Sequence, residues 1–319
     1  MHKILVIGAV NTTKHTLNQL KKYDFNVVGV LGHEPSNTSI VSGWTDLKSQ
    51  SKDLNVEYKG FKKINDLENI NWAKEKKPDI IFAVGFSQLM SEQWLQMPTL
   101  GCIGFHPTKL PKGRGRAPLA WTVLEETFGS ATFFLMGKGA DDGPVFVEEV
   151  FKIENADDAT SVEKKIEEAI IKSLDVWLPQ LKKGIWEPIP QDETQASWYG
   201  KRAIEDGIIN WNNSAYSIDR LIKASSQPHP GAYTYFKDTK VIIWKSEIET
   251  NIPIKGVIGR VLLIDDEKGY LIQCGEGLIW LKSIELAADL KIIIGDKLGY
   301  NIEDEIFKIK QLLKSISNE

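Results

Sequence analysis

The stretch MHKILVIGAV, Met1–Val10, contains the first of four short apolar runs that decide the fold. The runs are Ile4–Gly8, Val27–Leu31, Ile80–Val84 and Cys102–Phe105. Because consecutive apolar residues bury both faces of a strand, these runs predict a parallel sheet that is covered on both sides. Helical patterns at His15–Leu20 and Ser91–Met97 lie between the runs. The alternation predicts an α/β fold with a Rossmann-like, doubly wound and mainly parallel sheet.

A long helical pattern follows, and after it the chain changes character. Residues 158–181 place apolar side chains at helical spacing, with Thr160 or Ser161 near the start as a cap. The next stretch, GIWEPIPQDETQASWYG at Gly184–Gly200, has no periodicity, which is typical of a linker. A short amphipathic helix, Ser214–Ala224, precedes five strand candidates. The candidates are Ala232–Phe236, Val241–Trp244, Gly256–Ile264, Tyr270–Gln273 and Leu278–Ile284. Short strands with frequent turns predict a small β-barrel.

Composition and charge limit the function classes. The chain has 319 residues and a net charge of −4, so nothing global favours nucleic acid or an anionic membrane. Its two cysteines, Cys102 and Cys274, lie in apolar, strand-like contexts, which predicts buried thiols and no zinc site. The N-terminus has no signal-peptide pattern, and no apolar run reaches the ~18 residues of a membrane span. We therefore expect a cytoplasmic protein.

Several common catalytic motifs are missing. The turn after the first run, GAVNTTKH at Gly8–His15, lacks the G-x-G-x-x-G spacing of a dinucleotide site, which disfavours a nicotinamide cofactor. The sequence also contains no G-x-x-x-x-G-K-[ST] phosphate loop and no G-x-S-x-G nucleophile elbow. The chemistry therefore has to come from other residues.

His106 and a pair of aspartates are the remaining candidates. His106 ends an apolar run within IGFHPTKLPKGRGRAPLAW, Ile103–Trp121, and the carboxyl ends of strands face the crevice of an open α/β sheet. An imidazole can handle a proton near neutral pH, although a structural histidine remains an alternative. The loop GKGADDGPVF carries Asp141 and Asp142, and a carboxylate there could reach His106 and favour its imidazolium form. A simple hairpin turn is the other interpretation of that loop.

These residues resemble the 10-formyltetrahydrofolate-dependent formyltransferases. The family signature N-x-H-x-S-L-L-P corresponds to Gly104–Pro111, and its D-x-G loop corresponds to Ala140–Gly143. Upstream, Gly85–Met90 is similar to the folate-binding segment. The later stretches AIEDGIINWNNSAYSIDRLIKAS, PHPGAYT and GEGLIWLKSIEL resemble the family's C-terminal domain, an open β-barrel of OB type. The resemblance implies a formyltransferase catalytic domain at residues 1–187, a linker at 188–204 and an OB-like domain at 205–319.

The resemblance also implies a role for each matching residue. His106 would handle the proton and help stabilise the oxyanion, and Asp141 would favour the protonated ring. GRGRAP is closest to the sugar-nucleotide enzyme that formylates 4-amino-4-deoxyarabinose, and by that match Arg116 would contact the folate. The residues whose backbone would hold the pterin are Gln88, Leu89, Met90, Gly137, Lys138, Gly139 and Ala140. The formyl donor would be 10-formyltetrahydrofolate, released as tetrahydrofolate.

Gly104 departs from the family pattern, which has an asparagine whose amide donates to the oxyanion. Losing one such donor costs about 10²–10³ in rate in other enzymes. We expect another donor, with protonated His106 first, and a glycine that makes room for a bulky acceptor. A non-catalytic folate- or sugar-binding relative is the alternative.

The acceptor is predicted from the absence of a basic insertion near the N-terminus. The tRNA enzyme of this family carries a basic insertion after its second strand, whereas this sequence has no Lys or Arg from Tyr23 to Leu47. We therefore expect a UDP- or dTDP-linked 4-amino-4,6-dideoxy sugar, from a surface-polysaccharide or pseudaminic-acid-type pathway. Methionyl-tRNA formyltransferase is the alternative, and a homodimer is one candidate for the oligomeric state. Asn11 and Thr12 could hold the acceptor or only cap a helix, and Arg114 could meet a phosphate or be a solvated charge.

Overall fold

The computed structural model describes residues 2–38, 43–300 and 302–317, with no side-chain description at 317. The chain divides into two compact units, Met1–Arg202 and Ala203–Glu319. The division falls at the end of the segment predicted as a linker, residues 188–204. Most of that segment belongs to the first unit.

The first unit contains nine strands and six α-helices among its described residues. In chain order they are β1 (Lys3–Gly8), α1 (Asn11–Lys22), β2 (Asn26–His33), α2 (Leu47–Asp53), β3 (Tyr58–Phe61), α3 (Leu67–Lys76), β4 (Ile80–Val84), α4 (Glu92–Leu95), β5 (Gly101–Thr108), β6 (Arg114–Gly115), α5 (Pro118–Glu125), β7 (Phe128–Leu135), β8 (Val145–Lys152), α6 (Ala159–Lys182) and β9 (Trp198–Tyr199).

The central sheet has seven strands in the order β3-β2-β1-β4-β5-β7-β8. The strands from β3 to β5 are parallel, and β7 and β8 pair antiparallel at one edge. The predicted doubly wound, mainly parallel fold is therefore confirmed. The strand order reverses between β1 and β4, and ligands of such sheets bind at the carboxyl ends beside that reversal.

Burial explains why the four apolar runs become strands. Every residue of β4 is buried, and Ile80–Val84 matches the predicted run from end to end. The sequence patterns did not predict several elements, among them α2, α3, β7 and β8. These elements are short, amphipathic or include polar residues. The long helix α6 begins one residue before Thr160, and its cap is Asp158, whose carboxylate accepts from the Ser161 N–H. Asp158 therefore fills the N-cap position in place of the predicted Thr160 or Ser161.

The second unit is built on an antiparallel sheet. Its elements are α7 (Ala215–Ser225), β10 (Ala232–Phe236), β11 (Thr239–Glu249), β12 (Val261–Asp265), β13 (Gly269–Gln273), β14 (Leu278–Glu285) and α8 (Ile302–Ser317). The strand order is β10-β11-β14-β13-β12, so β10 and β12 form its two ends. Apolar residues of α7 and of the sheet form one buried cluster with Trp211 and Leu298. The five predicted strands are all present.

Helix α8 differs from the other elements in exposure. Its apolar residues Ile302, Ile306, Ile309, Leu313 and Ile316 are between 47% and 70% exposed. Their spacing of four and three residues puts them on one face of the helix. Within the described residues, no helix is long and apolar enough to cross a membrane.

Candidate active site

The predicted site residues follow three neighbouring strands of the central sheet. Asn11 and Thr12 come after β1, Gln88 to Met90 come after β4, and His106 lies near the carboxyl end of β5. Because parallel strands end at the same edge, the fold places these three groups in sequence along one edge of the sheet. The sheet therefore brings together residues that are far apart in the chain.

His106 is held between two acceptors. It is only 5% exposed. Its Nε2 lies 2.8 Å from the Gly113 carbonyl oxygen, and its Nδ1 lies 3.4 Å from Asp141 Oδ2. A carbonyl oxygen can only accept, so Nε2 carries a hydrogen. The doubly protonated ring is the form that donates towards both neighbours. The predicted pairing of His106 with Asp141 is present in this geometry.

The Asp141 loop is positioned by close backbone approach. Asp141 Oδ2 accepts from the Gly115 N–H at 2.9 Å, so one carboxylate oxygen faces both His106 and the basic loop. Asp141 has φ of 55°, in the left-handed region that Asp and Asn tolerate best among residues with side chains. A Cβ at Gly143 would lie 1.6 Å from the Leu135 carbonyl oxygen. The glycine of the D-x-G motif is therefore required by the chain that passes beside it.

Arg114 is buried rather than solvated. It is 1% exposed, and its guanidinium donates to both carboxylate oxygens of Glu193 at 2.9 and 2.6 Å. It also donates twice to Gln191 Oε1, from Nε at 3.2 Å and from Nη2 at 2.8 Å. The solvated-charge interpretation of Arg114 is wrong, because its donors are bound within the protein. Because its donors are occupied in this way, the structure gives no support to the predicted contact of Arg114 with a phosphate.

The space beside Gly104 is filled by the protein's own side chains. A Cβ at Gly104 would lie 2.6 Å from Phe134 Cζ and 2.9 Å from Met136 Cγ. Phe134 is the residue directly opposite Gly104 on β7. The hypothesis that the glycine makes room for a bulky acceptor is therefore not supported, because Phe134 and Met136 occupy that room.

The predicted folate segment is tied to the β3–α3 loop by two side-chain amides. Gln88 Nε2 donates to the Lys62 carbonyl at 2.7 Å, and Gln88 Oε1 accepts from the Ile64 N–H at 2.9 Å. Asn65 donates to the Leu89 carbonyl and accepts from the Ser91 N–H, both at 2.9 Å. Leu89 itself is 86% exposed. The backbone after β4 is thus held in place while an apolar side chain faces outward.

The second predicted folate segment and Arg116 are exposed. Residues 137–140 form an exposed loop, and a Cβ at Gly139 would lie 1.9 Å from Asp142 Oδ2. Lys138 is 87% exposed at its side chain and lies 3.3 Å from Glu92. The Arg116 side chain is exposed, while its N–H donates to the Tyr199 carbonyl. These groups are accessible to a ligand.

The two residues after β1 differ in access. Asn11 is half-buried, and its N–H donates to the Gly43 carbonyl at 3.3 Å. The Thr12 hydroxyl is buried, has no hydrogen-bond partner among the described residues and faces Gly85, where a Cβ would lie 2.4 Å away. The adjacent Thr13 hydroxyl donates to the Val84 carbonyl at 2.6 Å, which links the ends of β1 and β4. Thr12 is therefore less accessible than Asn11.

Sequence patterns missed the residues that hold the backbone of the candidate site segments. Gln191 and Ser197 lie in the stretch predicted as a linker, and Asn65 lies in a loop that carried no signal. The prolines and polar residues at 184–200 fit a loop that packs on the site, but they fit a linker between domains equally well. Gln191 contacts Asp141 across 50 positions, and Ser197 contacts Gly113 across 84 positions. The fold, and no local pattern, brings such distant residues together.

The remaining titratable clusters give no metal site. In residues 2–38, 43–300 and 302–317, no group of three or more His, Cys, Asp or Glu side chains could hold a metal ion. Cys102 and Cys274 are buried free thiols, and burial raises the pKa of each to about 12.

Comparison with family models matches both units. Residues 2–174 match the model described as formyl transferase. Residues 203–295 match the model described as formyl transferase, C-terminal domain. The first match alone covers more than half of the chain.

Known proteins agree with this match. The chain is 36% identical over 234 residues to the bifunctional polymyxin resistance protein ArnA of Wigglesworthia glossinidia brevipalpis; the match covers 73% of this chain and spans only 36% of that protein's length. An N-formyltransferase from Helicobacter canadensis, solved with folinic acid and dTDP-3-aminofucose, has a TM-score of 0.67 at 18% identity, over 88% of this chain and 99% of that one. Methionyl-tRNA formyltransferase from Clostridium thermocellum has a TM-score of 0.54 at 15% identity, over 79% and 96%. The two solved structures show a shared fold, and the family models carry the assignment: the chain belongs to the formyl transferase family.

Proposed function

We propose that this protein is an N-formyltransferase that moves the formyl group of 10-formyltetrahydrofolate to the amine of a nucleotide-linked 4-amino-4,6-dideoxy sugar. The observation that carries the proposal is the pairing of buried His106 with Asp141 at the carboxyl end of β5. A positioned proton-handling group at that edge suits transfer to an amine, which must lose a proton.

The residues around the crevice fit a folate donor. The segment at 88–90 has its backbone fixed by Gln88 and Asn65, and it exposes Leu89 beside the partly buried Phe86 and Met90. An apolar side chain next to fixed backbone groups suits a flat pterin ring with polar edges. The exposed loop at 137–140 and the Arg116 side chain supply further polar contacts. H. canadensis N-formyltransferase was solved with folinic acid, a formylated folate, which supports the same donor class.

The reaction balances without a metal or a redox partner. The donor supplies an activated formyl carbon, so that a bond from the acceptor nitrogen forms, the bond to folate N10 breaks, and one proton passes from the amine to N10. His106 begins with hydrogens facing Gly113 and Asp141. The ring turns so that its Nε2–H points from Gly113 to the reacting group and gives its proton to N10. Nε2 then accepts the proton that the amine loses. Asp141 stays beside Nδ1 throughout and stabilises the ring whenever it carries both protons.

His106 is also the donor that we propose in place of the family asparagine. Gly104 has no side chain to donate, and Phe134 and Met136 fill the space beside it. The Nε2–H of His106 can donate to the negative charge that develops on the formyl oxygen, since a charged donor is the stronger kind. The alternative of a non-catalytic relative predicts no transfer at all.

The acceptor is proposed from charge and from one relative. No Lys or Arg occurs from Tyr23 to Leu47, and residues 39–42 of that stretch lie outside the described residues. Neutralising tRNA phosphates requires such charges. The H. canadensis structure contains a dTDP-linked amino sugar, which supports the same class of acceptor. Asn11 is the more accessible of the two residues proposed to contact it.

The test is an acceptor screen with 10-formyltetrahydrofolate. We expect formylation of at least one UDP- or dTDP-linked 4-amino sugar, with 3-amino sugars and initiator Met-tRNA as comparison acceptors. Transfer to Met-tRNA alone would replace the proposed acceptor with the tRNA. No transfer to any acceptor, with folate still bound, would support the non-catalytic alternative.

A cytoplasmic location and a homodimer remain predictions. The exposed face of α8 supports the second, because Ile302, Ile306, Ile309, Leu313 and Ile316 repeat at heptad spacing. In a parallel pair of α8 helices, Glu305 of one copy would face Lys310 of the other at the edge of that face. Light scattering of the full chain measures the oligomeric state.

A further inference from the structure

We propose that the segment 189–200, which follows the catalytic elements, positions both acceptors that hold His106. This inference rests on the proposed function, because it assumes that His106 and Asp141 act in formyl transfer. The segment joins the first unit at both ends: Ile189 pairs with Val145, and β9 pairs with β6. It therefore lies against the catalytic loops along its length.

Gln191 holds the Asp141 loop. Its Nε2 donates to the Asp141 carbonyl at 2.8 Å and to the Gly143 carbonyl at 2.7 Å, while its Oε1 accepts two bonds from Arg114. An amide can donate two hydrogen bonds and accept two, so Gln191 uses its whole capacity. A reversed amide would put oxygen against two carbonyls and NH₂ against a guanidinium. The orientation is therefore determined by its neighbours, and it fixes the loop from which Asp141 reaches His106.

Arg114 makes this contact rigid. Its guanidinium is 1% exposed and is held by the Glu193 carboxylate through two parallel hydrogen bonds. Paired bonds of this kind have a defined geometry as well as a charge. Arg114 neighbours Gly115, whose N–H donates to Asp141 Oδ2. The Asp141 carboxylate and its backbone are thus held through Arg114, Gly115 and Gln191 together.

Ser197 holds the other acceptor. Its hydroxyl oxygen accepts from the Gly113 N–H at 2.9 Å, and its carbonyl accepts from the Arg114 N–H at 2.9 Å. Gly113 is the residue whose carbonyl oxygen lies 2.8 Å from His106 Nε2. Tyr199 then stacks on Trp121 at 5.6 Å between ring centroids, which anchors the end of the segment. One segment therefore sets the position of the partners on both sides of the imidazole.

Positioning of this kind affects rate more than binding. A shift of the Asp141 carboxylate or of the Gly113 carbonyl changes where the His106 protons lie, and proton transfer depends steeply on that geometry. Neither Gln191 nor Ser197 is a catalytic residue in this proposal, because each acts through another residue. We expect a loss in kcat with little change in KM for either substrate.

The experiment compares Gln191→Ala with Gln195→Ala, using the best acceptor from the screen. Gln195 lies in the same segment, is exposed, and among the described residues its side chain bonds to Asp192, so it is a matched control. We expect Gln191→Ala to lower kcat about tenfold, which corresponds to ~1.4 kcal/mol, the scale of one or two hydrogen bonds. Ser197→Ala should lower kcat about threefold on the same scale. Gln195→Ala should leave kcat unchanged.

A second measurement separates positioning from general stability. In the Asp141→Asn background, Gln191→Ala should cost less than about twofold, since groups that act as one unit are non-additive. Equal kcat in Gln191→Ala and Gln195→Ala, or an undiminished loss in the Asp141→Asn background, would overturn the inference. If Gln191→Ala does not fold, Gln191→Glu keeps the Arg114 contact and removes both donors; wild-type kcat in that variant would also overturn it. Full activity of His106→Ala and Asp141→Asn would instead refute the proposed site itself.

Discussion

Side-chain amides hold the backbone on two sides of the proposed active site, and the two sides differ in burial and charge. On one side, Gln88 and Asn65 fix the exposed segment after β4. On the other, Gln191 fixes the loop of Asp141, next to buried Arg114 and buried His106. The same kind of hydrogen bond therefore serves an open surface in one place and a charged, enclosed pair in the other.

Because the two sides differ in exposure, each should control a different kinetic constant. The exposed segment can form only binding contacts with a ligand, so its disturbance should change KM. In the proposed reaction the enclosed pair of His106 and Asp141 acts on protons that move, so its disturbance should change kcat. Substitutions at five positions test this contrast, and those with the greatest expected effect come first.

Removing the enclosed pair should have the largest effect. We expect His106→Ala and Asp141→Asn each to lower kcat by ~10²-fold or more, because a positioned proton-transfer group contributes about that much. Asparagine is the better probe at 141, since it tolerates the φ of 55°. The double variant should cost little beyond the worse single variant, as steady-state kinetics would show. Wild-type turnover in His106→Ala would end the mechanism.

Filling the space beside Gly104 should disturb the same side through packing. We expect Gly104→Asn to be destabilising by about 1–3 kcal/mol, since its Cβ would collide with Phe134 and Met136. In thermal unfolding, each kcal/mol lost lowers the unfolding temperature by roughly 2–4 °C. Gly200→Asn is the control, because nothing lies within 4 Å of a Cβ there.

The double variant Gly104→Asn/Phe134→Leu tests whether the absence of the family asparagine's amide donor limits kcat. If the packing is relieved and His106 already supplies the donor, kcat should stay near that of Phe134→Leu alone. A large gain in kcat over Phe134→Leu would show that the asparagine had not been replaced. An unchanged unfolding temperature in Gly104→Asn would contradict the packing described beside β5.

Disturbing the exposed side should raise the KM for folate. In Asn65→Asp the amide donor is lost and a carboxylate faces the Leu89 carbonyl, which it repels. We expect the KM for 10-formyltetrahydrofolate to rise about three- to tenfold, with kcat within about twofold, on the scale of one hydrogen bond. Asn71→Asp, an exposed position in α3, makes the same change of charge as a control. A fall in kcat at constant KM would break the contrast between the two sides.

Glu148 should give the smallest effect, on stability rather than on rate. Burial raises its pKa above the ordinary range, although Thr132 donates to it from β7 at 3.0 Å. Because the folded state favours its protonated form, its contribution is most favourable below the ordinary pKa and is lost as pH rises through the raised value. We expect Glu148→Gln to raise the unfolding temperature by about 1–3 °C at about pH 8 and less at about pH 4.5. Glu149→Gln, on the next residue of β8, is the control; an equal rise there, or a larger rise at acid pH, would contradict the sign.

The sequence was informative where a signal is local. The fully buried β4 was predicted to the residue, because a parallel strand buried on both faces is apolar at every position. His106 was predicted at a strand end for the same reason, since the run before it marks β5. The predicted helix cap, Thr160 or Ser161, lies two or three residues after the observed cap Asp158, because Asp, Thr and Ser are all good caps.

From the sequence alone follow the α/β class, the family and the choice of His106 as the histidine that we propose handles the proton. Those features depend on hydrophobic periodicity and on motifs of a few residues. The three-dimensional fold was needed to show that Arg114 is buried against Glu193, that Phe134 fills the space beside Gly104, and that Gln191 holds the Asp141 loop. Each of these contacts joins residues between 30 and 79 positions apart. No local pattern records which distant segment will pack there, because packing follows from the order of the strands and the path of the chain that returns to them.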